Sequence, residues 1–117
     1  MDFRSDVEAM VLGVLQSQPG YGYEIAKRIR ELSDEMFKYG EAQLYPALRK
    51  LEEAGYVTAE WVLQEGKPNR RVYSITDEGG KFLLERQKEF EKFVVKVNAV
   101  MKLSSTFSRM SMAVANV

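Results

Sequence analysis

Gln43, Tyr45, Arg49 and Lys50 lie within the stretch Gly40–Gly55, and Lys67, Arg70 and Arg71 cluster within five positions further along. None of these is a nucleophile or a general base. Their chemistry is recognition: a carboxamide can bond adenine through N6 and N7, while lysine and arginine neutralise phosphate charge. The 117-residue chain holds no cysteine and no histidine, which removes disulfides, a thiol nucleophile, an imidazole base and an ordinary zinc or copper site. The carboxylate pairs Glu52-Glu53 and Asp77-Glu78 are adjacent in sequence, hence not aimed at a shared substrate, and no phosphate-cradling glycine loop is present. No catalytic residue, metal or cofactor is expected. The pattern is that of a binding protein and not of an enzyme.

The elements that must position these side chains follow from the apolar spacing. Leu44, Ala47, Leu48 and Leu51 fall at i, i+3, i+4 and i+7, so one helical stripe faces a core while Gln43, Tyr45, Arg49 and Lys50 point elsewhere. Pro46 is cheap only in a first turn, which predicts a start near Ala42 or Gln43, and Gly55 suits the left-handed residue that closes a helix. Val57, Ala59, Trp61 and Leu63 then alternate with Tyr56, Thr58, Glu60 and Val62. Gln64–Asn69 holds turn formers, and Arg71, Tyr73 and Ile75 alternate on the returning side. This reads as a hairpin. Its tip carries Lys67, Arg70 and Arg71 to phosphates or a minor groove; a solvated charged turn is the plainer alternative. Neither arginine has an acidic neighbour in sequence, although strand alternation sets Arg71 on the side of Tyr73 and Ile75.

Upstream, Ser5-Asp6-Val7-Glu8 has the form of a capping box, and Val7, Met10, Val11, Val14 and Leu15 form the apolar face of a first helix stopped by Pro19-Gly20. Tyr21-Gly22-Tyr23 leads into a second helix with Ile25, Ile29 and Leu32 inward. In a helix-turn-helix the first helix crosses the DNA backbone, which brings Tyr21, Tyr23 and Lys27 within reach of phosphates; packing is the alternative for the tyrosines. Ser33–Gly40 is the turn, with Met36 and Phe37 expected beneath it.

Downstream, Thr76 can cap a long helix opened by Asp77-Glu78 and weakened by Gly79-Gly80. Leu83, Phe90 and Val97 are spaced by seven, and Phe93, Val100 and Phe107 form a second such series. A heptad seam is made to meet another helix, so a homodimer is expected, joined by the first helix of each partner. Ser104-Ser105 interrupts the pattern, and Ser108–Val114 is either a further helical turn or a disordered end. The fold class is therefore mainly α with a small β-hairpin. Residues 1–76 form a winged helix-turn-helix domain, and residues 77–117 a dimerisation helix and tail.

Lysine plus arginine equals aspartate plus glutamate, so the formal net charge is zero and only the distribution of charge can favour nucleic acid. The apolar runs are too short for a membrane span and the acidic start is no secretory signal, which points to the cytoplasm and away from membranes.

Four pieces in collinear order, over roughly residues 5 to 80, resemble the PadR family of bacterial transcriptional regulators: Pro19-Gly20-Tyr21-Gly22-Tyr23-Glu24-Ile25, the stretch Gly40–Gly55, Gly66–Thr76, and Asp77-Glu78-Gly79. The resemblance implies DNA contacts at Tyr21, Tyr23, Tyr45 and Pro46, double-stranded DNA as partner, and a bias toward repression. It also implies release by a small aromatic or drug-like effector near the dimer interface, where Phe3, Phe90, Phe93 and Met101 could line a site or form plain dimer core. The chain departs from the family at Glu41-Ala42, where a small residue and then glycine or serine is more usual. A winged-helix module that binds protein and not DNA is the rival from another class.

Overall fold

The computed structural model describes residues 6–102. In order these form α1 (Val7–Leu15), β1 (Gly20–Tyr21), α2 (Gly22–Leu32), α3 (Glu41–Glu53), β2 (Val57–Val62), β3 (Arg70–Ile75) and α4 (Asp77–Met101). Phe3, Ser5, Phe107 and the tail from residue 103, for which the sequence raises expectations, lie outside the described residues.

Asp6 caps α1, its carboxylate accepting the Ala9 N–H at 3.2 Å. The expected Ser5–Glu8 pairing is thus displaced by one residue, because aspartate caps as well as serine and leaves Glu8 in the first turn, at the positive end of the helix. Val11, Val14 and Leu15 are buried as their spacing predicts. Leu12, outside that stripe, is fully buried too, because α1 packs against α2, α3 and β3 and so is covered on more than one side. With Ile25, Leu48, Leu51 and Val57 it makes the centre of the core, each such side chain contributing about 1.5 to 3 kcal/mol by leaving water.

α2 departs from its pattern at the C-terminal end. Ile25 and Ile29 are buried, but Leu32 is 80% exposed. The helix closes immediately after it with the Asp34 N–H donating to the Glu31 carbonyl and the Glu35 N–H to the Arg30 carbonyl, a left-handed closure in which Asp34 (φ 52°) does what glycine usually does. This swings the chain away before the core reaches Leu32. Met36 is likewise exposed, contrary to expectation, while Phe37 stacks on Tyr39 at 6.0 Å and both pack on the core.

The sheet has three antiparallel strands in the order β1-β3-β2. The hairpin register runs from Val57 opposite Ile75 to Val62 opposite Arg70. β1 has no signature in the sequence, since two residues carry no periodicity; it pairs Gly20 with Tyr73 and Tyr21 with Val72. Arg28 makes this pairing possible, donating to the carbonyls of Gln18 and Pro19 at 3.0 Å each and lying so close to Gly20 that a Cβ there would crowd its guanidinium.

The end of α3 and the start of α4 are stitched together. The Gly55 N–H donates to the Glu52 carbonyl and the Tyr56 N–H to the Leu51 carbonyl, with Gly55 at φ 78°. The Thr76 hydroxyl then donates to the Gly55 carbonyl at 2.7 Å and accepts the Gly79 N–H at 3.0 Å. Gly79 is buried where any Cβ would collide with the Tyr56 carbonyl, so what reads as a weak first turn is a close backbone approach. Tyr56 and Phe82 stack at 4.5 Å. The chain divides into two compact units within α4, the first ending at Leu83 and the second beginning at Leu84. Leu83, a member of the expected dimer seam, is instead buried in the core of the first unit.

Candidate nucleic-acid interface

α3 is capped by Gly40, whose backbone is extended (φ −85°, ψ 177°) and whose carbonyl accepts the Gln43 and Leu44 N–H groups. Gln43 reciprocates, its side-chain oxygen accepting the Gly40 N–H at 3.3 Å. The side chain singled out for reading bases therefore also closes the helix end, leaving its amide N–H groups and one lone pair for a further partner. With Glu41 as the first helical residue, Pro46 sits in the second turn, not the first. It forfeits one backbone bond, that to the Ala42 carbonyl, because the Gly40 cap and not the proline sets the helix start.

The buried stripe Leu44, Ala47, Leu48 and Leu51 turns a line of Ala42, Pro46 and Arg49 outward, flanked by Gln43 and Lys50 on one side and Tyr45 on the other. Tyr45 is half exposed. Its ring lies over Gly22, near enough that a Cβ there would touch the phenol oxygen, so the start of α2 and the first turns of α3 present one surface. Tyr23 and Lys27 face outward from α2 on that surface, and Tyr21 stacks on Tyr23 at 6.3 Å.

The two wing arginines, neighbours in sequence, separate by strand alternation. Arg71 donates to Glu52 of α3 at 2.6 Å, with its guanidinium 5.6 Å from the centre of the Trp61 ring. It does have an acidic partner after all, one brought in from α3. Arg70 lies with its guanidinium 4.1 Å from the centre of the Tyr21 ring. Burial raises the Tyr73 phenol above its ordinary pKa, with nearby Arg71 lowering it and Glu52 raising it; burial likewise raises Tyr39, with the charge of Asp6 adding to it.

Charge is sorted by position. Arg28, Arg30, Lys38 and Arg71 pair with Glu24, Glu35 and Glu52, but Lys27, Arg49, Lys50, Lys67 and Arg70 have no ion pair among the described residues. Within the first unit these unpaired cations lie on the outer faces of α2 and α3 and on the wing; among the described residues of the second unit, Lys92, Lys96 and Lys102 also have no ion pair. Zero net charge is thus compatible with a basic face. Sequence reasoning finds neither Glu52 nor Tyr21 as an arginine partner, because both lie on elements remote in the chain and leave no local signal.

The chain's residues 11–85 match the model of the "Transcriptional regulator PadR-like family". The chain belongs to this family. A transcriptional regulator from Clostridium thermocellum superposes on the PadR-like chain with a TM-score of 0.75, at 35% identity over 82% of this chain and 93% of that one. The negative transcriptional regulator PadR of Bacillus subtilis is 30% identical over 69 residues, 59% of this chain and 38% of the relative. The structure of Bacillus subtilis PadR in complex with operator DNA matches at a TM-score of 0.64 and 27% identity, covering 70% of this chain and 46% of that one. The chain thus spans less than half the length of this relative. The winged-helix fold with its C-terminal helix is common to these proteins. Among the described residues no helix is long and apolar enough to cross a membrane, and no group of acidic side chains could hold a metal ion.

Proposed function

We propose that this PadR-like chain is a DNA-binding transcriptional repressor that sits on a near-palindromic operator as a homodimer and is released by a small aromatic or drug-like effector. The observation that carries the reading is the set of first-unit cations without an ion pair among the described residues, Lys27, Arg49, Lys50, Lys67 and Arg70, interleaved with exposed Tyr23 and Tyr45 on α2, α3 and the wing. In this assignment α3 enters the major groove, and the small residues Ala42 and Pro46 on its outer line allow close approach. Gln43 reads a base edge. Tyr23, Lys27, Tyr45, Arg49 and Lys50 set register on the phosphates, Tyr21 lies beside them with its ring under Arg70, and Lys67 and Arg70 supply wing contacts. Arg71 holds the wing to α3 through Glu52. The second unit supports pairing: α4 is 25 residues, about 37 Å, long and carries Phe90, Phe93, Val97 and Val100 along one seam. Phe90 and Phe93, whose ring centroids are 6.4 Å apart, are suited to stacking with an aromatic effector.

Titration of labelled duplexes at several salt concentrations tests the DNA assignment. Arg70→Ala should weaken binding to all duplexes alike and make the slope of log affinity against log salt shallower by about one. Gln43→Ala should keep the slope and lose about 1 to 3 kcal/mol of preference for the operator over a single base change. No salt-dependent binding to any duplex would favour instead a winged-helix module that binds protein.

A further inference from the structure

We infer that Tyr21 is a positioning residue whose ring holds the Arg70 guanidinium ready for a DNA phosphate, so that the wing and the helix-turn-helix bind the backbone as one unit. This rests on the DNA-binding reading and adds to it the device that sets the wing cation in place.

Arg70 opens β3, directly after the turn-forming loop, and is the wing arginine without an ion pair among the described residues. An arginine in that position has several rotatable bonds and no acid to fix it. The Tyr21 ring supplies the missing anchor, with the guanidinium carbon 4.1 Å from its centroid, well inside the distance at which a cation is attracted to an aromatic face. A ring can orient a cation without neutralising it, which a carboxylate cannot do. The contrast with Arg71 shows the difference: Glu52 takes up that charge at 2.6 Å, whereas Arg70 keeps its charge for an external anion.

Tyr21 is itself held on two sides. Its backbone pairs with Val72 in the sheet, and its ring stacks on Tyr23. Its N–H donates to the Glu24 carboxylate at 3.3 Å, at the start of α2. The ring is therefore fixed relative to both α2 and β3, and a cation resting on it is fixed relative to both. Preorganising a long side chain lowers the entropy lost when it meets its partner.

The test uses the full chain and a fluorescein-labelled random-sequence duplex, since phosphate contacts do not depend on sequence. Affinities are measured for the wild type, Tyr21→Leu, Tyr21→Phe, Arg70→Ala and the Tyr21→Leu/Arg70→Ala double variant, with melting curves to confirm that each is folded. Tyr21→Leu should weaken binding about 3- to 10-fold, Tyr21→Phe should bind within about twofold of wild type, and in the Arg70→Ala background Tyr21→Leu should cost less than about twofold. Equal losses in both backgrounds, or a Tyr21→Phe as weak as Tyr21→Leu, would overturn the inference and make the phenol a direct contact. In the free protein the Arg70 Cδ protons should show an upfield ring-current shift in the NMR spectrum, kept in Tyr21→Phe and lost in Tyr21→Leu. If the shift is present and no duplex binds even at low salt, the DNA reading has failed, and the positioning role with it. If the wild type binds and the shift is absent, only the positioning role has failed.

Discussion

α3 and the outer part of α4 carry the same kind of apolar repeat and use it in opposite ways. In α3 every residue of the stripe is covered by the first unit, down to 1% exposure at Leu48. In α4 beyond Leu84, Phe90 and Phe93 remain nearly half exposed and Val100 is 82% exposed. Periodicity announces that a face needs covering. It says nothing about whether the cover comes from the same chain. The dividing line is Leu83, the last α4 residue in the core of the first unit, and the geometry that draws it there is the close approach of Gly79 to Tyr56.

The largest effect is expected at the centre of α3. Leu48→Ala should cost about 2 to 5 kcal/mol in denaturant unfolding, because it opens a cavity in the buried core to which Leu48 belongs with Val11, Leu12 and Ile25. A change too small to measure would mean that the wrong face of α3 has been taken as inward, and would turn Gln43 and Arg49 away from DNA.

The boundary comes next. Gly79→Ala should destabilise by about 1 to 3 kcal/mol, since the methyl group meets a backbone carbonyl that cannot rotate aside. Gly80→Ala, one residue on, has open space around its Cβ and should be neutral or stabilising by up to about 1 kcal/mol. Equal effects at the two positions would show that helix propensity, not the close approach, governs the start of α4.

The smallest effect on the fold of a single chain is expected at the seam. Phe93→Ser combined with Val100→Ser should leave the circular dichroism spectrum intact while shifting sedimentation from dimer to monomer at micromolar concentration. A wild-type chain that already sediments as a monomer would remove the basis for palindromic binding and leave the α4 stripe to another partner.

From the sequence by itself came the order of helices and hairpin, the inward stripe of α3, the closing role of Gly55 and the family resemblance, because each is local: a repeat, a turn residue or a collinear motif. The hairpin and the basic wing were legible on the same grounds. Tertiary structure decided what depends on neighbours far apart in sequence. It added β1, which two residues cannot announce but which β3 stabilises by pairing with them. It buried Leu12 and exposed Leu32, since burial follows from how many elements surround a position and where the chain turns away. It moved Leu83 from the seam to the core. It also separated Arg70 from Arg71, alike in type and adjacent in the chain. Alternation puts their side chains on opposite faces of one strand, where a carboxylate waits on one side and an aromatic ring on the other.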